Sequence, residues 1–210
     1  MDMKAWLKRS PIVAILRGVR PDEVEPIVEV LGDAGILIAE VPLNSPEPFE
    51  SIARLAQRFG ERMLIGAGTV RSPEQVRQVA ESGGKLIVMP HADVAVVRAA
   101  KALGLLAAPG FLSPTEAFAA LDAGADALKL FPAEAASPAV LTAIRAVLPS
   151  EIPIIPVGGM APGTLRPWRQ AGAAGFGVGS SIYKPGDGPA EVKAKAAALA
   201  AALQDAHRSS

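Results

Sequence analysis

The chain has 210 residues, half of them hydrophobic and a fifth charged, which is enough for one well-buried domain and permits one large barrel over 1–210. Its 21 Lys and Arg balance its 21 Asp and Glu with no basic block, which argues against nucleic acid or an anionic membrane as partner and leaves a small molecule. Cysteine is absent, so disulfides, thiolate metal sites and thiol nucleophiles are excluded together, and a reducing cytoplasm is the compatible setting.

The first residues, "MDMKAWLKRS", lack the apolar core of a signal peptide and are predicted to form a short helix beneath the strands. No run reaches the roughly 18 continuous apolar residues of a membrane helix. Short apolar runs then alternate with longer helix-like segments: "IVAILR" (12–17), "ILIAEVPL" (36–43), "MLIGAGTV" (63–70), "KLIVMP" (85–90), "LLAAPGF" (105–111), "ADALKLFP" (125–132), "IPIIPVGG" (152–159) and "AAGFGVGS" (173–180). Runs apolar on both faces are what parallel strands covered by helices require, because neither face meets water.

The punctuation between the runs repeats. Helix starts read "RPDE", "SPEP", "SPEQ", "SPTE", "SPAV" and "APGT", with proline at a first helical position and often serine before it as N-cap. Helix ends are expected at Gly35, Gly60, Gly84, Gly104, Gly124 and Gly172, spaced to suit βα units. Eight such units predict a closed (β/α)8 barrel, with 188–207 as the last outer helix.

In such a barrel, catalytic groups sit at the C-terminal ends of the strands. Polar residues there are few: Arg17, Glu40, Asn44, Thr69, His91, Lys129, Ser180 and Ser181. Two are charges inside apolar strands. Alternation puts Ala127, Lys129 and Phe131 on one face of "ADALKLFP" and Leu128 and Leu130 on the other, so Lys129 points either into the barrel or at the helices. Glu40, between Ala39 and Val41, is expected to face Lys129 across the interior. A structural ion pair is the plainer alternative, but buried pairs are often no more stabilising than apolar packing. Burial instead favours a neutral, nucleophilic amine. "VGGM" after the seventh strand and "GVGSS" after the eighth suggest a phosphate held on backbone N–H groups, with Gly158, Gly159, Gly179 and Ser180 as its ligands.

A lysine, a facing carboxylate and a phosphate cradle describe an enzyme that forms a Schiff base with a phosphorylated keto compound. At this point "AILRG", "EVPLNSP", "IGAGTV", "LKLFPAE" and "VGG" together resemble the 2-keto-3-deoxy-6-phospho-sugar-acid aldolases, in order from about Ile12 to Ser181. The resemblance implies Lys129 as the Schiff-base nucleophile and Glu40 as the proton carrier. It also implies Thr69 at the pyruvate site, Pro90 and Phe131 as its walls, and Arg17 at the acidic end of the substrate. It implies no cofactor or metal, and a homotrimer. His91 receives no role.

Rival readings are weighed by their needs. A metal-dependent aldolase wants a cluster of His and carboxylate ligands, yet the chain has only His91 and His207. A sugar-phosphate isomerase on the same barrel would need a second acid or base, and a non-catalytic phosphate binder has no use for Lys129. Family enzymes selective for the gluconate epimer read "E-V-T-L-R" after the second strand and carry threonine before Gly-Gly. Here Pro42 and Asn44 replace that threonine and arginine, and Val157 replaces the other threonine. These departures resemble the galactonate enzymes. The expected substrate is therefore 2-dehydro-3-deoxy-6-phosphogalactonate, with the gluconate epimer as the alternative.

Overall fold

A computed structural model describes residues 1–208. Strands and helices alternate along it: α1 Met3–Arg9, β1 Ile12–Ile15, α2 Val24–Asp33, β2 Ile38–Pro42, α3 Pro48–Phe59, β3 Leu64–Gly68, α4 Pro73–Glu81, β4 Leu86–Val88 and α5 Val94–Ala102. The second half continues with β5 Leu106–Ala108, β6 Gly110–Phe111, α6 Pro114–Asp122, β7 Leu128–Leu130, α7 Pro138–Arg145, β8 Ile154–Pro156, α8 Leu165–Gln170, β9 Phe176–Val178 and α9 Pro189–Arg208.

The result is an α/β fold whose strand pairs are parallel, as the apolar runs predict. Where the sequence predicts one closed ring of eight strands, the hydrogen-bonded ladders form two open sheets, one ordered β5-β4-β3-β2-β1-β9 and one ordered β6-β7-β8. At the β5/β6 break the physical cause is Pro109, which divides the expected strand 105–111 in two because proline has no N–H to give a ladder. At this seam Ala107 O accepts from both Asp126 N (2.9 Å) and Ala127 N (3.3 Å), and the Asp126 carboxylate takes the Ala107 N–H at 2.8 Å. The same carboxylate holds Lys101 of α5 at 2.6 Å, so a side chain supplies what the interrupted ladder lacks.

Residues alternate cleanly between two apolar clusters. Val13, Ile15, Ile38, Leu64, Leu86, Val88, Ala108, Ala127, Ile155 and Val157 pack together on the inner face, and Met3, Trp6 and Leu7 of α1 join them from below. Ala14, Ala39, Val41, Leu128, Leu130, Ile154 and Phe176 face outward onto the helices. Asp2 caps α1 by accepting from Ala5 N at 2.7 Å, which fixes this plug under the strands.

Most helix starts follow the sequence signal: Ser72, Ser113 and Ser137 cap α4, α6 and α7, each followed by proline, and Ser113 with Glu116 forms a reciprocal capping box. "RPDE" does not open a helix at its proline, since α2 begins at Val24, and α3 takes Pro48 rather than Pro46. "APGT" first makes a 3-10 turn, Pro162–Thr164. Gly83 rather than Gly84 carries the left-handed backbone after α4, with φ 81°, and Gly60 stays right-handed at φ −60°.

Candidate active site

Glu40 and Lys129 come from β2 and β7, and strand alternation turns both to the inner face. Each has one glycine and one isoleucine in register: Glu40 sits between Ile15 and Gly66, and Lys129 between Gly110 and Ile155. Glu40 is 2% exposed and Lys129 7%. Glu40 Oε2 has no hydrogen-bond partner among the described residues. A Cβ added to Gly68 would lie 1.8 Å from that same oxygen, so this glycine makes the room the carboxylate occupies. The Lys129 Nζ lies 4.5 Å from the centroid of the Phe131 ring.

These surroundings move both groups toward neutrality. Burial pushes the Glu40 carboxyl up from 4.5 to about 7, against the opposing pull of Lys129 and Arg17. Burial likewise lowers Lys129, partly offset by Glu40, with Arg17 adding to the lowering. Among the described residues the two form no ion pair within 4.0 Å. A carboxyl that titrates near neutrality can both give and take a proton, and an amine with depressed basicity is a better nucleophile at that pH. The pair lines a small interior cavity of about 10 Å³, on the order of one water, with Val13, Ile15, Val88, Ile155 and Val157 among its walls.

Above it opens a mouth of about 410 Å³. Ile15, Val157 and Gly177 line both spaces, so the mouth leads down to the lysine and the glutamate. Gly177 is needed for this, because a Cβ there would meet Val157 Cγ2 at 2.5 Å. Arg17, Phe131, Gly158, Gly159, Gly179 and Ser180 also line the mouth. Gly158 and Gly159 both have left-handed backbone, φ 114° and 65°. Among the described residues the N–H groups of Gly159, Gly179 and Ser180 have no acceptor, leaving donors for an anion.

The remaining predicted residues lie around this space rather than in it. Asn44 accepts from Arg17 Nη1 at 2.6 Å and so positions the guanidinium. Thr69, with an unusual φ of 58°, and Pro90 sit half-buried after β3 and β4, outside the lining of both cavities. His91 is exposed, 4.0 Å from Asp93, and lines neither cavity. The side chain of His207 lies outside the described residues. Among the described residues there is no group of three or more His, Cys, Asp and Glu placed to hold a metal ion.

Sequence reasoning did not single out Ile15, Gly18, Met160 and Gly177 of the mouth, nor its polar and rim residues Glu134, Tyr183, Lys184 and Pro185. Glu134 stands inside "LKLFPAE", so its closeness in sequence to Lys129 was a signal that could have found it. Tyr183, Lys184 and Pro185 follow "GVGSS" in a loop with no strand or helix period to orient them.

A sealed amine and carboxylate beneath a glycine-lined mouth, on a parallel α/β scaffold, define a protein suited to imine chemistry on an anionic substrate. The family described as KDPG and KHG aldolase matches residues 3–191, and the chain belongs to it. It is 44% identical over 201 residues to the 2-dehydro-3-deoxy-6-phosphogalactonate aldolase of Escherichia coli (strain K12), covering 96% of this chain and 98% of that protein. Among solved structures it resembles "Native KDPGal structure" with a TM-score of 0.93 and 44% identity, over 94% of this chain and 96% of that one. It also resembles a chain of a cube-shaped cage designed by fusing symmetric oligomeric domains, with a TM-score of 0.94 and 44% identity, over 96% of this chain and 74% of that one.

Proposed function

We propose that this protein is a class I aldolase that cleaves 2-dehydro-3-deoxy-6-phospho-D-galactonate to pyruvate and D-glyceraldehyde 3-phosphate. The observation that carries the reading is Lys129, an amine buried beside Glu40 whose basicity burial depresses. Lys129 attacks the C2 ketone, and Glu40 carries protons while the carbinolamine forms and loses water. The iminium accepts the electron pair released as the C3–C4 bond breaks and the C4 hydroxyl gives up its proton. Glyceraldehyde 3-phosphate leaves; the enamine is protonated at C3 and hydrolysed to pyruvate, freeing the amine.

Arg17, held by Asn44, receives the substrate carboxylate, Thr69, Pro90 and Phe131 enclose the pyruvyl portion, and Gly158, Gly159, Gly179 and Ser180 receive the phosphate. Val157 sits where the two cavities meet, and its lack of a hydroxyl withdraws a hydrogen bond from the gluconate epimer at C4. The gluconate epimer remains a slower substrate.

The same reading takes residues 1–210 as one domain and the two sheets as arcs of one (β/α)8 barrel. The support is a parallel bridge from Val157 to Gly177 and the bond from Ala174 N to Ile154 O (2.9 Å) at one seam, with Lys129 N to Pro109 O (2.8 Å) at the other. A homotrimer is the proposed assembly, supported by the likeness to a chain of a cage built from symmetric oligomeric domains. Sedimentation checks it. A cytoplasmic setting is consistent with a chain without cysteine. No helix of the described residues is long and apolar enough to cross a membrane.

The decisive experiment mixes the protein with pyruvate and borohydride and maps the added mass. Label on Lys129 alone is expected; label elsewhere, or none, overturns the mechanism. Comparing kcat/KM for the two C4 epimers then tests the substrate, and a preference for the gluconate epimer would refute the assignment.

A further inference from the structure

The rim of the mouth carries a cation that the mechanism above leaves unused. Residues 183–187 are anchored from three sides. Tyr183 is buried, and its hydroxyl donates to Glu23 Oε1 at 3.0 Å. The Lys184 N–H donates to Asp187 Oδ2 at 2.7 Å, which closes the turn. Pro185 lies so near Gly18 that a Cβ added there would stand 2.7 Å from its Cγ. The backbone is thus fixed while the Lys184 side chain stays exposed and lines the mouth.

Asp187 acts on the Lys184 ammonium only through its charge. The carboxylate of Asp187 is engaged by Lys195, and among the described residues no hydrogen bond or ion pair takes up Lys184 Nζ. Across the mouth the charge is negative: the Glu134 carboxylate packs on the glycine loop, where a Cβ on Gly158 would fall 1.9 Å from Oε2. A phosphate settling on Gly158 and Gly159 therefore meets a carboxylate. Backbone N–H groups give it geometry but only partial charge, and a full cation is needed to offset that repulsion.

We infer that Lys184 is a specificity-determining residue, the charge that makes the mouth select a substrate ending in a phosphate dianion over the same sugar acid without it. The inference rests on the aldolase reading and deepens it. Its range falls with salt, since the ammonium is solvated.

The test uses the full chain as wild type, Lys184→Gln and Lys184→Arg. Inorganic phosphate is titrated by calorimetry, and KM and kcat are measured for the phosphorylated and unphosphorylated sugar acids. Lys184→Gln is expected to weaken phosphate binding and raise KM for the phosphorylated substrate by about tenfold, the size of one charge-assisted contact, with the loss in KM rather than kcat. Lys184→Arg restores both, and added salt shrinks the difference. Unchanged phosphate affinity in Lys184→Gln overturns the inference, as does an equal loss on both sugar acids, which would mean a merely structural role. Failure of the wild type to be trapped with pyruvate at Lys129 would instead sink the aldolase reading, while the phosphate titration still decides Lys184.

Discussion

Glu40 and Lys129 in the interior are sealed from water, whereas Arg17, Glu134 and Lys184 at the mouth stay exposed. The interior alters the chemistry of its charges: desolvation moves a carboxyl to about 7 and lowers an amine, so reactivity is made by burial. The mouth leaves its charges hydrated and offers backbone donors instead, so in the proposed reading recognition there rests on geometry and long-range attraction. One region is costly to build and intolerant of change. The other is cheap to alter and sets which molecule arrives.

The largest effect that separates the two regions is loss of the amine. Lys129→Ala, and Lys129→Arg because a guanidinium stays protonated, are each expected to lower kcat by at least about 10⁴-fold with the fold retained by circular dichroism. Substantial turnover in either variant would break the division between chemistry inside and recognition outside.

Glu40→Gln is expected to lower kcat by about 10²–10⁴-fold while Lys129 is still trapped slowly with pyruvate. Its stability has a defined pH signature. Because the folded carboxyl is raised from 4.5 to about 7, its contribution is fully present below 4.5 and is lost as pH rises through about 7. Wild type should therefore lose Tm relative to Glu40→Gln between pH 4.5 and 7, by an amount worth up to about 3 kcal/mol. A pH-independent Tm difference would mean that Glu40 is not desolvated as the interior requires.

Paired glycine substitutions sharpen the same comparison. Gly68→Ala thrusts a methyl onto Glu40 and is expected to cost about 1–3 kcal/mol and most of the activity. Gly179→Ala meets no atom within 4 Å, so the melting temperature should hold while KM for the phosphorylated substrate rises. Equal thermal losses in the two would erase the distinction. The smallest effect is expected at the boundary: Val157→Thr should shift kcat/KM toward the gluconate epimer by about 5–150-fold, corresponding to 1–3 kcal/mol for one hydrogen-bonding group. An unmoved epimer ratio would remove Val157 from the specificity argument.

The interior was legible in the sequence because a charge inside an apolar strand is rare and strand alternation gives it a face. Lys129 between Leu128 and Leu130, and Glu40 between Ala39 and Val41, are visible without coordinates. The position of the glycines of "VGG" and "GVGSS" after two late strands was likewise legible, and these loops do line the mouth. What tertiary structure alone decided is how distant segments meet. That Gly68 clears space for Glu40, that Pro109 opens a seam which Asp126 repairs, and that Pro185 against Gly18 holds Lys184 at the rim depend on contacts between residues far apart in the chain. Periodicity is a local property and encodes which face a residue takes; the distance between two faces is set by the packing of the whole set of strands and helices.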